Sequence, residues 1–276
     1  MGKQVLLIND MPGYGKVALS AMIPVLSHMG HHVYNLPTAL VSNTLDYGKF
    51  DILETTDYMI NTIQVWQELG FSFDAVSTGF IVSEKQAKIA AEFCRKQKEN
   101  GSMVFADPIM GDEGKLYNGI TEKTISYMRE IVKVSDYIVP NYTEAVYLAG
   151  AEYQEGGMDE KGVDELIESL LSIGAKSVVV TSALVNQKEA VIVYDASKKQ
   201  RHILPFVSIP VRFPGTGDIF SSVFMGSILA GQGIVESAQK SMDVVKAMIE
   251  KNKDNRDKFK GIPVESFLGV LDSEET

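Results

Sequence analysis

Asp74-Ala75-Val76-Ser77-Thr78-Gly79 and Ser102-Met103-Val104-Phe105-Ala106-Asp107 are two short, β-rich apolar runs, and residues 83–99 between them carry a helical pattern. Strand, helix and strand in that order make a βα unit of a mainly parallel sheet. The alternation repeats outward in both directions. Further strands are expected at 4–8, 32–36, 136–139 and 176–181, and helices at 16–29, 57–69, 121–133, 142–149, 159–173, 217–230 and 234–252. A short helix is expected at 264–271. Residues 189–194 and 201–207 read as an antiparallel hairpin turned at Asp195-Ala196-Ser197-Lys198. Val178-Val179-Val180 is apolar on both faces, as when helices cover both sides of a sheet. No linker-like tract or repeat breaks the pattern, so residues 1–276 are expected to form one α/β domain with helices on both faces of a mainly parallel sheet.

The chain has 276 residues, 45% of them apolar, enough to bury a full core. Its formal net charge of -10 leaves nothing broadly basic to meet a nucleic acid or an anionic membrane. One cysteine, Cys94, permits no intrachain disulfide and is expected to pack in a helix. The apolar run Val5-Leu6-Leu7-Ile8 is too short for a signal-peptide core or a membrane span, so a cytoplasmic location is expected. The mixed-charge stretch from Lys251 to Lys260 reads as a solvated helix end, and Ser273-Glu274-Glu275-Thr276 as a frayed tail.

Ligands of open α/β sheets bind beyond the carboxyl ends of the strands. Polar residues stand there on five strands: Asn9-Asp10, Thr78-Gly79, Asp107, Asn141 and Thr181-Ser182. The sharpest segment is Pro214-Gly215-Thr216-Gly217-Asp218, which opens the helix starting Ile219-Phe220-Ser221-Ser222. Its glycines let backbone approach a ligand, and the helix start aims unpaired N–H groups and a positive dipole end at an anion. Asp218 is either a helix-start residue favoured by the dipole or the base of a phosphoryl transfer beside an anion hole.

Three further segments are rich in polar groups. Asp107-Pro108-Ile109-Met110-Gly111-Asp112-Glu113-Gly114-Lys115-Leu116-Tyr117 is a solvated turn or a Mg-nucleotide site. In Pro140-Asn141-Tyr142-Thr143-Glu144, Asn141 and Glu144 have the spacing of a capping box. Ser42-Asn43-Thr44-Leu45-Asp46-Tyr47-Gly48 is rich in donors. Gly13-x-Gly15 follows the first strand, but alanine at position 18 removes the third glycine of a dinucleotide fingerprint.

Gly215-Thr216-Gly217-Asp218 before a small-residue apolar helix resembles the C-terminal signature of the ribokinase-like kinases. The Asp107–Tyr117 and Asn43–Gly48 segments resemble the pyridoxal/pyridoxamine (vitamin B6) kinase branch, and the likeness runs in the family's order from Asn9 to the helix after Asp218. It implies a ribokinase-like, three-layer α/β/α fold. It also implies ATP, Mg²⁺, frequently a monovalent cation such as K⁺, and commonly a homodimer. Asp218 would be the catalytic base, with the amides of Gly215, Thr216 and Gly217 as the anion hole. The nucleotide would meet Asp107, Asp112, Asn141, Thr181, Ser182 and Thr216, and the metal would involve Glu144, Asp107 and Asp112. The ring substrate, a B6 vitamer, would meet Asn9, Asn43, Thr44, Tyr47, Tyr117 and Asp218. Asn9 stands where many pyridoxal kinases carry serine, and the Asn9-Asp10-x-x-Gly13-x-Gly15 form is similar to the bacterial pyridoxamine-kinase-like group. Hydroxymethylpyrimidine kinase is the near alternative. A non-catalytic pyridoxal-phosphate-binding protein is the distant one, and an intact Asp218 argues against it.

Overall fold

The computed structural model describes residues 2–117 and 120–272; the tail expected at 273–276 lies outside them. The chain divides into two compact units, residues 1–73 with 208–276, and residues 74–207.

The first unit opens with β1 (Gln4–Tyr14), whose Val5–Ile8 side chains are fully buried. β1 is followed by α1 (Ala18–His28) and β2 (His32–Asn43), which pairs with β1 in parallel. Both strands outrun the expected 4–8 and 32–36. The register shifts between Asn9 and Met11, so two β2 residues face Asp10, and pairing then resumes as far as Tyr14 with Asn43. Polar Asn9-Asp10 and Pro12-Gly13 hide this continuation from an apolar-run reading. β3 (Ile52–Glu54), a short antiparallel edge on β2, was also not expected. α2 (Thr56–Glu68) closes this part of the unit.

The second unit contains β4 (Ala75–Thr78), α3 (Glu84–Glu99), β5 (Met103–Ala106), a small hairpin of β6 (Gly111–Asp112) with β7 (Lys115–Leu116), α4 (Glu122–Val134), β8 (Tyr137–Ile138), α5 (Tyr142–Ala149) and α6 (Glu160–Ser172). It ends with β9 (Ser177–Val185), β10 (Lys188–Asp195) and β11 (Gln200–Pro205). β4, β5, β8 and β9 are mutually parallel in that spatial order, and β9, β10 and β11 are antiparallel. The expected hairpin is present as β10–β11. β9 runs on beyond residue 181 because Asn186 and Gln187, both at positive φ (49° and 63°), turn it into β10. Val76, Val104, Ile138 and Val178–Val180 are fully buried, and Cys94 is buried on α3.

The chain then returns to the first unit as α7 (Thr216–Leu229) and α8 (Ile234–Asn252). Every residue of α7 from Asp218 to Leu229 is buried, as befits a helix that is apolar or small on all sides. Gly226 leaves room there for the end of the Met29 side chain, whose Cε would lie 2.5 Å from a β-carbon. Ala21 and Val25 of α1, Ile219 and Val223 of α7, and Val244 and Met248 of α8 share one core with Ile262, Val264 and Leu271. Residues 264–272 form two 3₁₀ turns, Val264–Ser266 and Leu268–Asp272, in place of the expected α-helix. Among the described residues no helix is long and apolar enough to cross a membrane.

Candidate active site

In the first unit, Asp218 occupies the first turn of α7 and is 9% exposed. The N-cap, Gly215, has φ 86°, and a β-carbon on it would stand 2.4 Å from the Lys16 carbonyl oxygen. Only glycine fits that approach. A β-carbon on Gly217, by contrast, would meet nothing within 4 Å, so the backbone of the first turn faces open space. The amides of residues 216–218 precede the first helical bond, Ile219 N–H to Gly215 O at 3.0 Å. They form the positive end of α7.

Asp218 Oδ2 accepts the Ala18 N–H at 2.8 Å, from the start of α1, where Ala18 holds φ 46°. The Asn9 side chain also donates to Asp218. Burial pushes the Asp218 carboxyl up to about 6, against the lowering effect of those two donors. Asn9 is 2% exposed, and its Oδ1 accepts the Asp10 N–H at 3.0 Å. Asp10 itself is half-buried, and burial followed by the charge of Asp218 pushes its carboxyl up to about 7. The site therefore contains a carboxylate pair, of which the sequence reading carried forward only Asp218. Asp10 was visible in the sequence as a polar residue at a strand end, but nothing in the sequence tells that a carboxylate 208 positions later is its neighbour.

Asn43, Thr44 and Tyr47 lie together in the same unit, with their polar groups engaged. Asn43 Nδ2 donates to the carbonyls of Thr44 (3.0 Å) and Lys49 (2.9 Å). Thr44 Oγ1 donates to the Phe259 carbonyl at 2.6 Å, and the Tyr47 hydroxyl lies 2.8–2.9 Å from both Asp257 carboxylate oxygens.

In the second unit, Asp107 follows β5 and its N–H donates to Thr78 O at 2.8 Å. Asn141 caps α5 by accepting the Glu144 N–H at 2.9 Å, and Glu144 Oε2 accepts the Asn141 N–H at 2.9 Å. The capping box expected from the spacing is thus formed. Glu144 Oε1 also accepts the Met110 N–H at 2.9 Å, and Asn141 Nδ2 donates to Gly111 O at 2.7 Å. These bonds tether the Asp107–Tyr117 loop to α5. Burial, then the charge of Asp107, holds Glu144 well above the usual carboxylate range. Asp112 lies in β6, and Tyr117 is half-buried with its N–H on Met110 O at 2.9 Å. Thr181 bridges to Asn141 beside Ser182, which holds φ 54° at a register shift against β10. The buried Thr78 hydroxyl makes no hydrogen bond. A surface depression of about 510 Å³ in this unit, lined by Met158, Lys161 and Asn186 among others, contains none of the expected residues.

The fold finds counterparts among known proteins. A Bacteroides thetaiotaomicron protein, assigned as a phosphomethylpyrimidine kinase and crystallised with pyridoxal, is 31% identical, with a TM-score of 0.93 over 99% of this chain and 96% of its own. Pyridoxal kinase from Leishmania donovani, solved with ADP and pyridoxamine, has a TM-score of 0.83 at 21% identity over 99% and 96% of the two chains. Both have the ribokinase-like α/β architecture. The pyridoxal kinase PdxY of Rubrobacter xylanophilus is 28% identical over 260 residues, covering 91% of this chain and 88% of its own. The model of the phosphomethylpyrimidine kinase family matches residues 17–262, and the chain belongs to that family.

Proposed function

We propose that the protein transfers the γ-phosphoryl group of ATP to the hydroxymethyl group of a vitamin B6 ring, and that it does so as a single kinase domain. The observation that carries this reading is Asp218. It is a buried carboxylate at the open, glycine-flanked start of α7, with its basicity raised by burial and two donors holding it in place. Asp218 takes the proton from the substrate hydroxyl as the oxygen attacks the γ-phosphorus. The bond from that phosphorus to the β,γ-bridging oxygen breaks, and ADP leaves. The amides of Gly215, Thr216 and Gly217 hold the charge on the transferred group. Asn9 orients Asp218, and by resemblance it is assigned to the ring as well.

Asp107, Asp112, Asn141, Thr181 and Ser182, with Thr216, are assigned to the nucleotide. Among the described residues no group of three or more His, Cys, Asp or Glu side chains is gathered to cage a metal. The donor set suits Mg²⁺ held mainly by phosphate oxygens and water, with Asp107, Asp112 and Glu144 supplying carboxylate charge. Both Glu144 oxygens already accept backbone N–H groups, which favours a role through water. Bound Mg²⁺ neutralises phosphate charge. A K⁺ requirement, a cytoplasmic location and a homodimer complete the assignment by resemblance.

The reading for B6 rests on the Asn43–Gly48 loop and on the relatives named pyridoxal kinase. Hydroxymethylpyrimidine is the second reading, supported by the family model. A coupled ATPase assay over pyridoxal, pyridoxine, pyridoxamine and hydroxymethylpyrimidine separates them. The vitamers should be phosphorylated, and Asp218→Asn should lower turnover by about 10² or more with little change in ring binding. Near-normal turnover in that variant would sink the base assignment; turnover of the pyrimidine alone would select the second reading.

A further inference from the structure

The stretch Lys251–Lys260 is the expected solvated helix end only in its first half, where Lys251, Lys253, Asp254 and Arg256 are exposed. α8 stops at Asn252, and residues 257–261 fold back within the first unit against three segments of the candidate site. The Lys260 carbonyl accepts the Lys16 N–H at 2.7 Å. Gly261, at φ 78°, comes so close that a β-carbon would lie 2.6 Å from Lys16 O and 3.1 Å from Pro214 O, beside the catalytic turn. The Phe259 carbonyl accepts the Thr44 hydroxyl at 2.6 Å, the Asp257 carboxylate accepts the Tyr47 hydroxyl, and the Phe259 ring meets the Tyr47 ring edge-on at 5.6 Å.

These ties join two others on the loop: the Thr44 N–H donates to Tyr14 O at 3.1 Å, and Arg212 reaches the Asp46 carboxylate at 3.1 Å. The 3₁₀ turn Leu45–Tyr47 has no buried residue; Leu45 is 39% exposed and Tyr47 is 37% exposed. A turn without core side chains, held here beside the buried Thr44, takes its position from its polar and aromatic partners. On the other side Tyr47 touches the Tyr14 ring at 6.0 Å, four residues beyond Asp10. Partial desolvation and then the Asp257 hydrogen bond push the Tyr47 phenol up to about 12, so it stays a donor at any working pH.

We infer that residues 257–261 form a strap that sets the position of the ring-binding loop, and that Asp257 is a positioning residue acting through the Tyr47 hydroxyl. This rests on the proposed function, in which the Asn43–Gly48 loop meets the ring. The contact is made equally in ground and transition states, so its loss raises KM and spares kcat.

The test is steady-state kinetics on full-length Asp257→Ala, Tyr47→Phe, the double variant and Asp257→Asn, varying ring substrate and ATP separately. Asp257→Ala and Tyr47→Phe should each raise the KM for the ring about three- to tenfold, with kcat and the ATP KM within about twofold of wild type. The double variant should match the singles, because both remove one contact. Asp257→Asn keeps an acceptor oxygen and should recover most of the loss. Unchanged ring KM in Tyr47→Phe, effects that multiply in the double variant, or an equal rise in the ATP KM would each overturn the strap assignment while leaving the kinase reading intact. Asp257 is assigned no ring contact, so a ring KM raised in Asp257→Ala and recovered in Asp257→Asn is what separates positioning from a direct Tyr47 contact. A wild-type protein that phosphorylates none of the four rings would overturn the proposed function and the strap assignment with it.

Discussion

Asp10 and Asp218 repel one another inside the first unit, and each has its own way of being tolerated. Asp218 accepts two hydrogen bonds that favour its charged form, from Ala18 and Asn9, whereas Asp10 gains only a weaker, local one from its own backbone. Asp218 is therefore the member that ionises first as pH rises, with its carboxyl at about 6 against about 7 for Asp10. A base must be ionised to accept a proton, so kcat should rise with pH along a limb near 6. Asp10 is still protonated while Asp218 ionises, so Asp10→Asn should leave that limb close to 6 and remove only the later ionisation near 7. A pH–rate profile checks this. A limb that moved to lower pH would mean that Asp10 carries its charge before Asp218 does. Little of this pair was legible in the sequence. Gly215–Asp218 announced itself because its glycines and aspartate are contiguous, but Asp10 acquires its character only through burial and a distant partner, neither of which leaves a local pattern.

At the level of elements, the glycines of the α7 start separate two requirements that the sequence presents as one. Gly215 is a demand of the fold: it sits at φ 86°, pressed on the Lys16 carbonyl. Gly217 is free of such contacts and faces open space. Gly217→Val should leave the unfolding midpoint essentially unchanged while lowering transfer by about 10² or more, because its side chain enters the anion hole. Gly215→Ala should instead cost about 1–2 kcal/mol or more in stability, measured by chemical denaturation, for an alanine forced into left-handed backbone against a carbonyl. A wild-type rate in Gly217→Val would place the phosphoryl group elsewhere. The βα elements themselves were legible because buried parallel strands are continuous apolar runs: 74–79 and 102–107 match β4 and β5 closely, and 83–99 matches α3 to within a residue. What escaped were stretches set by pairing and not by hydrophobicity. The far half of β1, the β6–β7 hairpin and the small β3 carry polar, glycine or proline residues, and only a partner strand makes them extended. The strap at 257–261 escaped for the same reason, since charge-rich sequence reads as solvated until its carbonyls find donors.

For the molecule as a whole, the buried carboxylates make stability depend on pH in the sense opposite to that of most acidic side chains. Asp10 and Asp218 have folded pKa values, about 7 and about 6, above the ordinary 3.8 that they regain on unfolding. The folded chain therefore binds protons that the unfolded chain releases, and stability must fall as pH rises through this window. Their contribution is fully present below about pH 4 and is lost as pH passes 6 and then 7. Asp136 works the other way. Despite its partial burial, Lys98 and Lys176 hold its carboxyl below the usual range, so it stabilises above about pH 4 and fails in acid. The net charge of -10 reinforces the decline at higher pH through self-repulsion. Chemical denaturation at pH 5.5 and pH 8 should accordingly find the protein about 3 kcal/mol less stable at the higher pH, the sum of the two linkage terms. Asp10→Asn combined with Asp218→Asn should flatten most of that slope and leave the double variant more stable than wild type at pH 8, since amides of the same shape carry no charge to desolvate. Stability that was lower at pH 5.5 than at pH 8 would show that the two carboxylates stand in water. Asp218 would then lack the raised basicity on which its role as the base depends.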